Sequence, residues 1–161
     1  MAPRPDLEKQ KFELPTGGLP AIRTMSQDFY QYRSQSTVTF AAATTGTVAA
    51  HTIFTVTGLV ALSIVAKCGT DLAGASATIE VGTALSTPGL IAQTTATNID
   101  ANEIWHDATP DASIELTSVM TKKIVSQDIA YKIGTAAVSG GVLTFYVFWT
   151  PLSSDGNVVA A

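Results

Sequence analysis

Charge is what this chain has least of. Asp, Glu, Lys and Arg make up 14% of its 161 residues, against roughly 25% in ordinary soluble domains. Nine basic residues face thirteen acidic ones, for a net charge of −4. The basic stripe that phosphate binding requires is therefore missing, and nucleic acid is not an expected partner. A single cysteine, Cys68, excludes an intrachain disulfide and a cysteine metal cluster. It ends an apolar run and reads as a small buried hydrophobe. The two histidines, His51 and His106, offer little for acid–base chemistry. No elbow motif surrounds a serine, no thiolate is set beside a base, and no GxGxxG or P-loop pattern occurs. The chain is accordingly read as no enzyme, with no catalytic residue and no cofactor. The most apolar window, Val56 to Cys68, is broken by Gly58 and ends at Lys67, well short of the roughly 20 residues of a membrane helix. The opening residues lack the apolar stretch of a secretory signal, so a soluble chain made in a cytoplasm is expected, with no membrane partner.

What remains is apolar and extended. Hydrophobic residues make up 46% of the chain, and the mean hydropathy is +0.27. In a small protein a charge-poor, faintly apolar surface points to permanent contact with other subunits. Composition divides the chain near Arg33. Residues 1–33 hold five basic and four acidic residues, and residues 34–161 hold four and nine. The first segment also contains Pro3, Pro5, Pro15 and Pro20, which rule out a continuous helix or a central strand. It reads as an extended N-terminal arm with a short helical turn at Ser26–Arg33. Its apolar end, with Phe29, Tyr30 and Tyr32, should dock on a neighbour.

From Gln35 onward the chain alternates in short extended pieces with no sustained helical period. Strands are expected at 37–41, 47–57, 59–67, 76–82, from Leu90, at 113–120, 128–133 and 141–151. In the second, Ile53 should lie on one face and Phe54 and Val56 on the other. Residues 69–74 and 87–89 read as a loop and a turn. Ser139-Gly140-Gly141 reads as a hairpin turn pairing the last two strands. About eight strands at this spacing predict an all-β, two-sheet sandwich over residues 34–161. We take it as jelly-roll-like, although spacing alone does not separate that from immunoglobulin-like connectivity.

The last of these strands organises the rest. Leu143, Phe145, Val147 and Trp149 point one way, and Val142, Tyr146 and Phe148 the other, so both faces need cover. The bulkier uninterrupted set is assigned to the core. Val142, Tyr146 and Phe148 become a contact face.

One loop gathers oxygen donors, from Asp100 to Asp111. Ile104 and Trp105 stand where a helix–loop–helix calcium site needs a ligand and a glycine, so that motif is excluded. A looser cation site would draw on Asp100, Asn102 and Asp107. Glu103 and Asp107 are the one nearby carboxylate pair a glycan hydrolase would need. The plainer reading makes the stretch a solvated connection in which Ile99, Ile104 and Trp105 plug the end of the sandwich.

Four pieces carry a resemblance: Ile53-Phe-Thr-Val-Thr-Gly58, Ser76-Ala-Thr-Ile-Glu-Val-Gly-Thr-Ala84, Leu90-Ile-Ala-Gln-Thr-Thr-Ala-Thr-Asn-Ile-Asp100 and Phe145-Tyr-Val-Phe-Trp-Thr-Pro-Leu-Ser-Ser-Asp-Gly-Asn157. In order and character, residues 47–157 resemble a family of small β-rich structural proteins in the virions of tailed double-stranded DNA bacteriophages. The resemblance implies a virion component without catalytic residues, and the arm lies outside it. The expectation is a capsid decoration or cement protein that is a homo-oligomer, such as a trimer, seated on the major capsid protein. The alternative is a tail or fibre attachment module binding host glycan, with the loop around Trp105 as its tip.

Overall fold

The computed structural model describes residues 32–110 and 114–161, and the strands below are those of the described residues. They are β1 (Tyr32–Thr39), β2 (Ala50–Thr57), β3 (Val60–Ala73), β4 (Thr78–Thr83), β5 (Ser86–Thr95), β6 (Ile104–Trp105), β7 (Lys123–Val125), β8 (Ile129–Gly134), β9 (Gly140–Pro151) and β10 (Asn157–Ala160). Two short 3-10 turns lie among the described residues, at Ala96–Asn98 and Thr117–Val119. One sheet runs β1-β9-β3, with β6 and β7 sharing the far edge of β3, and the other runs β10-β2-β8-β4-β5. Every pairing is antiparallel. The chain is all-β, and residues from both sheets form a single apolar core.

Alternation explains which side chains enter that core. In β9, Leu143, Phe145 and Val147 are fully buried and Trp149 nearly so, while Val142, Thr144, Tyr146 and Phe148 between them are half-buried. In β3, Val60, Leu62, Ile64, Ala66 and Cys68 line the same core, and β8 adds Ile129, Tyr131 and Ile133. Ala77, Ile79 and Val81 are buried as well. Glu80 points to the opposite face of β4, where Lys132 Nζ lies 3.6 Å away and Gln93 donates to it at 3.2 Å.

Several expectations need correcting. The final two long strands do not pair: β8 binds β2 and β4, whereas β9 binds β1 and β3. The segment between them crosses from one sheet to the other, held by Val138 N–H to the Gly46 carbonyl and Ser139 N–H to the Ala73 carbonyl. Ile53 and Phe54 are both buried, because a bulge between Thr52 and Phe54 inserts an extra residue and restarts the alternation. Residues 69–73 belong to β3, which continues past irregularities at Cys68 and Thr70. Residues 87–89 lie inside β5, and the turn falls at residues 84–85. No strand forms over residues 114–120, where Ile114 is 86% exposed and Leu116 is 70% exposed. Ten strands form among the described residues, not about eight, because β10 flanks β2 and two short strands share one edge.

The β body begins at Tyr32, so Tyr32 and Arg33 are sheet residues and not the end of an arm. Residues 26–31 of the expected helical turn lie outside the described residues. No helix among the described residues is long and apolar enough to cross a membrane.

Candidate interaction surface

Register fixes what shares the outer face of the β1-β9-β3 sheet, because directly paired residues point the same way. Phe148 stands between Arg33 and Ser63, Tyr146 between Gln35 and Val65, and Thr144 between Thr37 and Lys67. Thr150 pairs with Ala61, which pairs in turn with Ile124, and Val142 pairs with Thr39. The result is a band of Ala61, Val65, Val142, Tyr146 and Phe148, half-buried by its neighbours and extended by Ile124 at 69% exposure. Arg33 and Lys67 are exposed in these rows, and no Asp or Glu stands in them. On a chain with a net charge of −4, this face is apolar with a basic border.

The structure divides the expected contact residues. Val142, Tyr146 and Phe148 do share a face. Tyr32 belongs to the opposite one: it pairs with Trp149, and their rings stack with centroids 4.7 Å apart and planes 23° apart. It therefore lids the Trp149 end of the core. Phe29 and Tyr30 lie outside the described residues.

The oxygen-rich loop spends its side chains on its own backbone. Glu103 accepts from the Asp100 N–H at 2.8 Å, Asp107 accepts from the Thr109 N–H at 2.7 Å, and Asp71 accepts from the Ala101 N–H at 2.6 Å. Asn102 supplies the positive φ of 74° at the turn, and its N–H donates to the Cys68 carbonyl. Among the described residues, no three His, Cys, Asp or Glu side chains are grouped to hold a metal. Trp105 is fully buried against β3, as is Ile99. It plugs the core, so it is not among the residues that the loop around it presents to solvent. Its Nε1 has no hydrogen-bond partner among the described residues. His106 lies 3.2 Å from Glu115, which ties the following segment to the edge of β3.

The remaining reactive groups are enclosed. Cys68 is fully buried, and burial pushes its thiol up to about 11. That leaves little thiolate at neutral pH. His51 stacks on Tyr131, centroids 4.9 Å apart, with Nε2 placed 3.1 Å from the Thr47 hydroxyl and carbonyl.

Sequence patterning missed a second surface, along the lateral opening between β5 and β7. There Lys123 Nζ donates to the Gly89 carbonyl at 2.7 Å, and Leu85 is 85% exposed. A lone leucine in a small-residue turn carries no periodic signal that could have marked it. Comparison with protein-family models, with curated proteins and with solved structures returns no match.

Proposed function

We propose that this chain is a virion structural protein of a tailed double-stranded DNA bacteriophage, and that it decorates or cements the head shell by seating on the major capsid protein as a homo-oligomer. The observation that carries the reading is the outer face of the β1-β9-β3 sheet. A soluble monomer gains nothing from Tyr146, Phe148, Val65 and Val142 on the solvent side of a sheet that already has a core. A partner with an acidic, apolar surface fits both the band and its Arg33 and Lys67 border. Covering it within an interface of roughly 1,000 Å² or more would make a specific contact, repeated over the shell.

Strand order supports the finer fold reading. Taking β6 and β7 as one edge, the sheets run first-ninth-third-edge and second-eighth-fourth-fifth. That interleaving is what two nested Greek keys produce, and we read the fold as a jelly roll with β10 added beside β2. Viral capsid and lectin domains both use this architecture, so it favours no single activity by itself. The residues before β1 are proposed to extend to a neighbouring subunit of the shell.

The test is co-sedimentation of purified protein with heads stripped of it, together with its copy number per particle. Saturable binding is expected of a specific interface, and a shell role calls for many copies per particle rather than a handful. Binding to host glycan with no binding to tailless heads would replace this reading by the fibre one.

A further inference from the structure

The two lateral edges of the molecule are finished differently. At one, Ser34 of β1 donates to the Val158 carbonyl of β10 at 2.6 Å, which draws the two sheets together. At the other, β5 faces the short strand β7 across a cleft of about 170 Å3 lined by Thr83, Ser86, Gly89, Leu90, Ile124 and Val125, with Lys123 at its side. The Lys123 ammonium is turned to the Gly89 and Leu90 carbonyls, at 2.7 and 3.4 Å. Its aliphatic stem is left to face the cleft. Exposed apolar residues collect around this opening. Leu85 is 85% exposed and Ile124 69%, and Val119, which borders the neighbouring small cavity at Leu90 and Lys123, is 38% exposed.

We infer that this edge is a twofold self-association surface in which Leu85 of each copy enters the cleft of the other. Three observations select a second copy as the occupant. First, the cleft is the size of one apolar side chain: about 150 Å3 accommodates a benzene ring, and a leucine side chain is smaller than that. Second, knob and hole sit on one hairpin, since Leu85 lies between the cleft residues Thr83 and Ser86, which pair with each other. A patch that carries a projection beside its own receptacle is self-complementary under a twofold axis, and the contact closes at two copies. Third, the hairpin packs closely on itself: a Cβ placed on Gly89 would lie 2.7 Å from Ser86 Oγ. Residues 83–90 carry no charge, and the Lys123 ammonium beside the cleft is turned to backbone carbonyls.

The alternative way to pair two copies here is strand to strand along β5, and Pro88 opposes it. Proline lacks the N–H that such a ladder needs and is a common guard on edge strands. Side-chain exchange is what the edge permits.

The test is sedimentation equilibrium of the full chain between about 1 and 100 µM, a range suited to μM pairing, beside Leu85→Asp and Ser86→Trp. A dimer is expected for the native chain. Leu85→Asp should weaken it about tenfold or more, as removal of a central anchor does, with an unchanged melting temperature because Leu85 makes so little contact with its own chain. Ser86→Trp should weaken it by filling the cleft. A Leu85→Cys, Ile124→Cys double variant should form an interchain disulfide on oxidation, which neither single variant forms with equal yield. A monomer throughout the range, a trimer, or an oligomer indifferent to Leu85→Asp overturns the inference. Head binding is read separately, by co-sedimentation, and stands or falls apart from it.

Discussion

The indole of Trp149 donates to the hydroxyl of Ser34 at 3.2 Å, and the same hydroxyl donates to the Val158 carbonyl at 2.6 Å. One small side chain on the edge strand therefore satisfies a buried indole in its own sheet and fastens the edge of the other. Ser34→Ala removes both bonds and strands the Trp149 N–H in a nearly buried position. A loss of about 1–3 kcal/mol is expected, read as a lower urea midpoint with an unchanged slope. An unchanged midpoint would show that water replaces the hydroxyl at no cost.

The two faces of β9 should separate by mutation. Leu143 is fully buried, so Leu143→Ala should cost about 2–5 kcal/mol of stability. Tyr146 is half-buried on the outer face, so Tyr146→Glu should leave the melting temperature within a few degrees, at roughly 2–4 °C per kcal/mol for a domain of this size. Head binding should be lost with it. Unfolding by Tyr146→Glu would mean that the outer face is internal to the protomer.

That distinction was legible from the sequence because alternation is local. Leu143, Phe145, Val147 and Trp149 declare a common face however the strand is paired, and Ile129, Tyr131 and Ile133 do the same. Pairing is not local. Ser139-Gly140-Gly141 looks the same whether the chain doubles back or crosses to the other sheet, and it crosses. The bulge at Ile53 and Phe54 was hidden for a related reason, since an inserted residue shows only against its partner strand. Ile114 and Leu116 obeyed the strand period yet lie exposed, and the near side of β3 is already taken by β6 and β7. On the candidate surface, Val142, Tyr146 and Phe148 were readable as a set. Tyr32 was read as part of the arm's docking end because its position opposite Trp149 depends on register over a separation no motif encodes.

Alkaline stability should report on two buried acids. The Tyr131 hydroxyl donates to the Thr45 carbonyl at 2.7 Å, and burial pushes its pKa from 10.0 up to about 12. In the unfolded chain the phenol ionises first, so raising the pH from 10 toward 12 favours unfolding. The stabilisation is fully present below pH 10 and is lost through that window. Cys68, pushed by burial from 9.0 up to about 11, adds a loss that begins one unit lower. Each contributes at most about 2–3 kcal/mol. Urea midpoints should therefore fall as the pH rises from 9.0 toward 12. Cys68→Ala should flatten the lower part of the fall and Tyr131→Phe the upper part. Parallel curves for all three proteins would refute the assignment.

Gly141 opens β9 with φ of 112°, a conformation that side-chain-bearing residues rarely adopt. A Cβ there would also meet Leu72 Cδ2 at 2.5 Å and the Asp71 carbonyl oxygen at 2.6 Å. Gly141→Ala should cost about 1–3 kcal/mol or more, because both the backbone and the Leu72 neighbourhood must shift. Gly140→Ala makes the control, since its Cβ would meet only Ala73 Cβ at 3.9 Å. Comparable melting temperatures for the two variants would show that the end of β3 yields freely.

The basic border of the outer face sets a last expectation. Arg33 and Lys67 flank the apolar band from opposite strands, exposed and without a carboxylate in their rows. If an acidic partner surface meets them, their contribution is screened by salt over a Debye length of about 8–10 Å. Head binding should then weaken between low and high ionic strength. Arg33→Glu combined with Lys67→Glu should weaken it further and reverse the sign of the salt dependence, because four units of charge change on one face. Stability should be almost untouched, since exposed charges contribute about 0–1 kcal/mol each. Equal binding by the double variant at every ionic strength would remove charge from the interface and leave Tyr146 and Phe148 to carry it alone.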